Sequence, residues 1–251
     1  MLQLIGFDGD DTLWHSEGYY QQAQAGFAAI VGRHADLADM RLRDGMLATE
    51  RRNLKLFGYG AKGMTLSMVE TAIAITDGRI TAAEIHELMQ LGKRVLQHPL
   101  ELLPGIGEAV AAVAERYPLV LITKGDLFHQ EKKVAQSGLA RLFRRIEIVS
   151  EKDAASYRRV LAEFALPPAQ FAMVGNSLRS DIEPVLRLGG WGVHLPYHVT
   201  WAHELEHGLG DDERRMLTVA APADIPAAVV RLDAFAAAQD AAGDASSSKP
   251  V

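Results

Sequence analysis

The chain contains no cysteine. Disulfides, thiolate nucleophiles and cysteine-ligated zinc are therefore excluded, and the absence fits a reducing compartment. A basic surplus is missing too. Asp and Glu number 32 against 26 Lys and Arg, and the net charge of −6 argues against a nucleic-acid partner, whose phosphates call for a positive surface. No apolar run approaches the ~20 residues of a membrane span. The first residues, MLQLIGFD, carry neither the basic flank nor the small-residue cleavage site of a secretory signal. A soluble, cytoplasmic protein without membrane or nucleic-acid partners is expected. What the chain does have is apolar residues, 48% of 251, enough for one large domain or two modest ones whose core needs no covalent staples.

Those apolar residues fall into short runs. Leu2–Phe7, PLVLIT (Pro118–Thr123), RIEIVS (Arg145–Ser150), FAMVGNS (Phe171–Ser177) and WGVHLP (Trp191–Pro196) read as buried strands, and Arg215–Val219 as a short last one. Helical patterns lie between them at Leu127–Ser137, Tyr157–Ala165, Asp181–Leu188 and Ala223–Ala238, with glycines or prolines as stops. Fully apolar strands alternating with helices predict an α/β fold: a Rossmann-like parallel sheet with helices on both faces. After the first strand the pattern changes. Tyr19–Val31, Met40–Phe57, Met64–Thr76 and Ala82–Gln97 read as four consecutive helices, punctuated by glycines and left at Pro99, Pro104 and Gly105. The expected division is a core of residues 1–15 and 101–239, an inserted helical domain of residues 16–100, and a disordered small-residue tail at 240–251.

FDGDDTLW (Phe7–Trp14) places three carboxylates directly behind the first strand. Asp8 and Asp10 are two apart, so in extended backbone they share one side of the chain. They would then face the crevice beyond the carboxyl ends of the strands, where open α/β sheets bind ligands. Two such carboxylates repel unless they share a cation or a proton, and magnesium, a taker of oxygen ligands, suits them. A plain strand-ending turn is the competing reading. Three more strand ends bear on the choice. PLVLITKGD ends in a hydroxyl, Thr123, followed by Lys124 and Gly125, a combination able to offer donors to an anion. Lys152 stands just beyond RIEIVS. MVGNSLRSDI presents Gly175, Asn176, Ser177 and then Asp181. Each is commonplace alone, as turn, solvated charge or helix cap. In one parallel sheet all four converge on one edge.

Taken in order, these residues resemble the haloacid dehalogenase superfamily, most of whose members are phosphatases. The pattern Asp-x-Asp-x-Thr is met by Asp8, Asp10 and Thr12. The strand-terminal hydroxyl is Thr123, the lysine is Lys152, and the Gly-Asp motif with a later Asp is met in altered form by Gly175, Asn176 and Asp181. The helical insertion matches the cap that many members carry. The resemblance implies hydrolysis of a small phosphate ester through an aspartyl phosphate. Asp8 is then the nucleophile and Asp10 the acid and base. Thr123, with Lys124, Gly125 and the neighbouring N–H groups, binds phosphoryl oxygens, and Lys152 neutralises charge. Asp8, the Asp10 carbonyl and Asn176 or Asp181 hold Mg2+. Asn176 departs from the usual Asp and removes one formal charge from the metal set. The alternatives are a metal-free dehalogenase-type displacement, which generally lacks the second Asp, and a non-catalytic relative that only binds.

The remaining signals concern selection of substrate. Trp14 and His15 follow the carboxylate turn and are expected at its entrance, while Asp11 is expected to face away. Lys62, in the glycine-rich GYGAKGM, is a candidate contact to a second anionic group on the substrate. Arg51, Arg52 and Lys55 read as a solvated helix face. His194, His198, His203 and His207 cluster, and HELEH satisfies the letters of HExxH. A zinc protease needs a third ligand and a helix in an open cleft, which nothing else in the chain supports. The expected role is a surface helix with Trp201 packed on the core. Oligomeric state is not legible.

Overall fold

The computed structural model describes residues 1–34, 41–199, 201–205, 207–210 and 214–247, without the side chains of 41–43 and 242–247. The expectations placed on Met40, Glu206 and residues 248–251 lie outside these. Six strands, β1 (Leu4–Phe7), β2 (Leu119–Lys124), β3 (Arg145–Val149), β4 (Phe171–Gly175), β5 (Trp191–His194) and β6 (Met216–Thr218), form one sheet in the order β3-β2-β1-β4-β5-β6. The recorded pairings are parallel, with Gly6 opposite Val120 on one side and Met173 on the other. This is the Rossmann-like order. Strand β1 lies beside the point where the connections reverse direction, the usual place for a ligand crevice.

The period-2 rule sorts β1 between two cores. Ile5 and Phe7 join Val110, Leu121, Val174, Val193 and Leu232 on one face. Leu4 joins Val120, Ile122, Tyr157, Phe171 and Met173 on the other. A side chain at Gly6 would meet Phe171 at 2.6 Å and Met173 at 2.8 Å, so only glycine lets those residues cross the strand.

The helices are α1 (Glu17–Val31), α2 (Arg41–Phe57), α3 (Ala61–Ile75), α4 (Ala82–Gln97), α5 (Ile106–Ala114), α6 (Leu127–Ser137), α7 (Ala154–Glu163), α8 (Glu183–Arg187) and α9 (Ile225–Ser247). The chain forms two compact units. One comprises Met1–His15, Leu100–Thr123 and Lys133–Val251; the other comprises Ser16–Pro99 and Lys124–Lys132. The helical unit has its own core, built around Phe27, Val31, Met64, Met68, Leu88 and Leu91. Helix α6 begins in that unit and ends in the sheet unit.

Several local expectations change. Helix α5 has the spacing Ile106, Ala109, Val110, Val113 of a buried stripe, which the proline and glycine just before it obscure in the sequence. Helix α9 continues past Ala238 to Ser247, through a stretch expected to be disordered. Alanine is the strongest helix former, and the Met1 ammonium pairs with Asp240 at 2.5 Å. The helix expected from Asp181 starts instead as a π turn, Leu178–Ile182, capped by Ser177. The surface helix expected around HELEH is only a 3-10 turn, Ala202–Glu204, so His203 and His207 do not share a helical face. Trp201 is half-buried and lies against the His203 ring. Among the described residues no helix is long and apolar enough to cross a membrane.

Candidate active site

The carboxylate turn folds around one carbonyl. Gly9 O accepts from the N–H groups of Thr12, Leu13 and Trp14, and Asp11 N–H donates to Trp14 O at 2.7 Å. Asp11 takes a left-handed φ of 60° and is buried, because the chain must reverse within these few residues. Asp8 N–H still bonds Val174 O at 2.9 Å, which holds the start of the turn to the sheet. A side chain at Gly9 would strike the Trp14 ring at 2.8 Å and Thr123 Oγ1 at 3.0 Å. The turn is therefore packed directly onto the end of β2.

Asp8 is buried, and both its oxygens are engaged. Lys152 Nζ donates to Oδ1, and Thr12 Oγ1 donates to Oδ2 at 2.9 Å. The same ammonium donates to Asp181 Oδ1 at 2.7 Å, while Ser177 N–H donates to Asp181 Oδ2 at 3.0 Å. A Cβ at residue 175 would overlap the Asp181 carboxylate, so Gly175 is what lets it lie against the end of β4. Two buried carboxylates thus share one buried ammonium. Burial, and then the charge of Asp181, push Asp8 up to about 7 against the pull of Lys152. Burial also works against the Lys152 charge, but Asp181 and Asp8 outweigh it and hold that lysine above its usual value.

Asp10 has different surroundings. Its side chain is 27% exposed, and its Oδ1 accepts from Trp14 Nε1 at 2.6 Å and from Lys133 Nζ at 2.7 Å. Trp14 is fully buried, not at an entrance; His15 is half-buried, with Nδ1 2.6 Å from Tyr197 Oη. Thr123 is buried, and its Oγ1 makes no hydrogen bond among the described residues. An orphaned buried hydroxyl costs about 1–3 kcal/mol, which favours a ligand oxygen at that point.

The fourth strand end is tied back in two directions. Thr12 Oγ1 accepts from Asn176 N–H at 3.0 Å and lies 3.3 Å from Asn176 Oδ1. The hydroxyl has one proton, and the shorter contact to the Asp8 carboxylate takes it. Ser177 Oγ and Ser180 Oγ both donate to Glu204 Oε2, at 2.5 and 2.6 Å, and Arg179 donates to the His203 carbonyl at 2.7 Å. This fastens the 3-10 turn to the π turn. His194 Nε2 lies 3.1 Å from Asn176 O, and burial lowers its pKa.

The structure thus brings together Asp8, Asp10, Thr123, Lys152, Asn176 and Asp181 in the sheet unit. Lys62, Lys124 and Gly125 belong to the helical unit. There Lys62 pairs with Asp126 at 2.9 Å and lies over the Phe128 ring, and Lys124 lies over the Tyr59 ring at 4.3 Å. Gly125 has a φ of 144°. Arg51, Arg52 and Lys55 are exposed. Lys133, and Trp14 as a donor, were missed by sequence reasoning. Nothing in the sequence singles out Lys133; its burial on one face of α6 with His129, Gln130 and Ser137 is seen only in the fold.

Among the described residues no three acidic or imidazole groups form a metal cluster. The donors here are of another kind: the Asp8 carboxylate and the Asn176 amide oxygen, both within reach of one hydroxyl, with the Asp10 main chain two residues away. Hard oxygen donors and a surplus of buried negative charge over Lys152 fit magnesium.

Comparison with known proteins follows this geometry. Residues 2–189 match the model of the haloacid dehalogenase-like hydrolases. No curated protein sequence matches. The crystal structure of a haloacid dehalogenase-like family hydrolase from Xanthomonas campestris is 56% identical, covering 94% of this chain and 98% of that one, with a TM-score of 0.86. A predicted phosphoglycolate phosphatase from Haemophilus somnus is 20% identical, covering 89% and 96%, with a TM-score of 0.57. A 2-haloacid dehalogenase from Pseudomonas syringae is 17% identical, covering 92% and 99%, with a TM-score of 0.59. The last two share the fold and divide between the two chemistries. With its strand-end residues and its sheet both in place, the chain belongs to the haloacid dehalogenase-like hydrolases.

Proposed function

We propose that the protein is a phosphatase, hydrolysing a small phosphate ester through a phosphorylated Asp8. The observation that carries this reading is the unlike environment of two neighbouring carboxylates. Asp8 is buried and held by Lys152 and Thr12, whereas Asp10 is partly exposed and held by Lys133 and Trp14. Carboxylates in environments this different serve as nucleophile and proton carrier. A displacement at carbon needs only the first.

In the first step an Asp8 oxygen attacks phosphorus. The P–O bond to the alcohol breaks, and the departing oxygen takes the proton of Asp10. In the second step water attacks the same phosphorus, gives its proton to Asp10, and the Asp8 carboxylate is released with phosphate. Thr123 Oγ1 donates to a phosphoryl oxygen, satisfying its orphaned hydroxyl, and Lys152 offsets charge on the transferring group. Asp181 acts by fixing Lys152 and the turn at Ser177. Asp8, the Asp10 carbonyl and Asn176 would hold magnesium, which when bound supplies positive charge opposite the phosphoryl oxygens. Residues 1–15 and 101–239 act as the catalytic core, and the helical residues 16–100 act as the cap that selects substrate.

The test is turnover of p-nitrophenyl phosphate, with and without magnesium, by the wild type and by Asp8→Asn. Magnesium-dependent phosphate release that disappears in the variant supports the reading. Release of halide from a 2-haloacid without metal would replace it with a dehalogenase. No activity on either substrate class would favour a binding role.

A further inference from the structure

We propose that Glu204 is a positioning residue for the catalytic edge: its carboxylate holds the turn after β4, and through that turn the side chains of Asn176 and Asp181. This rests on the phosphatase reading above and gives the 3-10 turn at Ala202–Glu204 a part in it. Ser177 Oγ and Ser180 Oγ donate to the same oxygen, Glu204 Oε2, at 2.5 and 2.6 Å. Hydrogen bonds to a carboxylate are about twice as strong as those between neutral groups. Ser177 stands between the two groups that matter. Asn176, whose amide oxygen would hold magnesium, comes directly before it. The Ser177 N–H donates to Asp181 Oδ2 at 3.0 Å, and Asp181 Oδ1 accepts from the Lys152 ammonium that also holds Asp8.

Several elements grip this turn. Leu178–Ile182 is a π turn, a rare geometry that occurs mostly at functional sites. Ser177 Oγ accepts from Ser180 N–H at 3.0 Å while donating its own proton to Glu204, so one hydroxyl caps the turn and ties it outward. Helix α7 adds Tyr157, whose hydroxyl donates to Ser180 O at 3.0 Å. Burial, and then the charges of Asp181, Asp8 and Glu204, hold the Tyr157 pKa well above its ordinary value, so this donor keeps its proton. Arg179 donates to the carbonyl of His203, the residue before Glu204, at 2.7 Å. Glu204 itself is half-buried and 27 residues from Ser177. The first glutamate of HELEH is thus a hydrogen-bond acceptor for the strand end that carries Asn176.

The experiment measures magnesium affinity by isothermal titration calorimetry, and kcat/KM on p-nitrophenyl phosphate, in the wild type, Glu204→Ala, Glu204→Gln and Ser177→Ala. Groups that hold a metal ligand in place typically matter by ~10–100-fold in affinity or activity. Glu204→Ala is expected to lower both quantities by about 10-fold. Glutamine offers an amide oxygen that can accept both hydroxyls, so Glu204→Gln is expected to return both to within about 3-fold of wild type. A merely structural contact would change the fraction of folded protein, which the titration reads as stoichiometry, and would leave the affinity of that fraction unaltered. Ser177→Ala removes the same link from its other end, with an expected loss of about 10-fold, and keeps the question answerable if Glu204→Ala fails to fold. Wild-type affinity and turnover in the alanine variants would overturn the positioning role alone. So would a Glu204→Gln variant as impaired as Glu204→Ala, since charge rather than hydrogen bonding would then be the cause. A wild type that neither binds magnesium nor hydrolyses p-nitrophenyl phosphate overturns the phosphatase reading and this inference with it.

Discussion

Glu50→Gln isolates the cost of a buried charge far in sequence from the catalytic turn. In α2, Met46, Thr49, Glu50 and Asn53 form the buried face, and Glu50 is 9% exposed. Burial alone pushes its carboxyl from 4.5 up to about 7. At about 1.4 kcal/mol per pH unit, that rise amounts to about 3 kcal/mol. Below pH ~4.5 the group is protonated in both folded and unfolded chains and costs nothing. As pH rises the unfolded chain ionises first, so stability is lost progressively until about pH 7. About 1 kcal/mol is lost by pH 5 and about 3 kcal/mol by pH 8. Glutamine keeps the shape of the protonated acid and never ionises. The gap in stability between Glu50→Gln and wild type is therefore expected to widen by about 2 kcal/mol from pH 5 to pH 8. Urea unfolding measures it, with other titrating groups cancelling between the two proteins. All three tryptophans, Trp14, Trp191 and Trp201, lie in the sheet unit, so fluorescence follows that unit while far-UV circular dichroism also follows the helices. A gap that stays constant between the two pH values would refute the reasoning, whatever its size.

Three further outcomes are expected. Thr123→Val replaces an unbonded buried hydroxyl by a methyl, so thermal stability should hold or rise by about 1 kcal/mol while phosphatase kcat/KM falls at least ~10-fold; a large loss of stability would mean the hydroxyl is not orphaned. Lys152→Met leaves Asp8 and Asp181 buried without their ammonium, and should cost about 3–5 kcal/mol in urea unfolding, together with all turnover. Asn176→Asp adds a charge beside Asp8 and should tighten magnesium binding by isothermal titration calorimetry; unchanged or weaker affinity counts against Asn176 as a ligand.

The strand ends were legible because their information is local. An apolar run ending in Asp8, Thr123 or Gly175 announces both the strand and the group at its tip, and parallel pairing then brings the tips to one edge. Lys152 could be named for the same reason. Its actual partners could not, since one lies 144 residues away and the other 29. Asp181 shows the difference well. Its position after Gly175 marked it for the site, but only the fold shows both its oxygens taken, by Lys152 and by Ser177 N–H. Lys133 was invisible, because a lone lysine on a helix is ordinarily solvated. HELEH misled in the opposite direction: its spacing suggested a surface helix, where the fold has a 3-10 turn at Ala202–Glu204.

By itself the sequence determined the alternation of strands and helices, the six-strand parallel sheet and the kinds of side chain at its carboxyl edge. These follow from periodicity and burial, which neighbouring residues impose on one another. The tertiary structure alone decided which carboxylate Lys133 and Lys152 meet, that Asp11 and Trp14 are buried, that Thr123 is left without a hydrogen bond among the described residues, and that Glu204 engages Ser177 and Ser180. Those outcomes depend on how elements distant in the chain are set against each other, and a pairing energy exists only once that placement has been made.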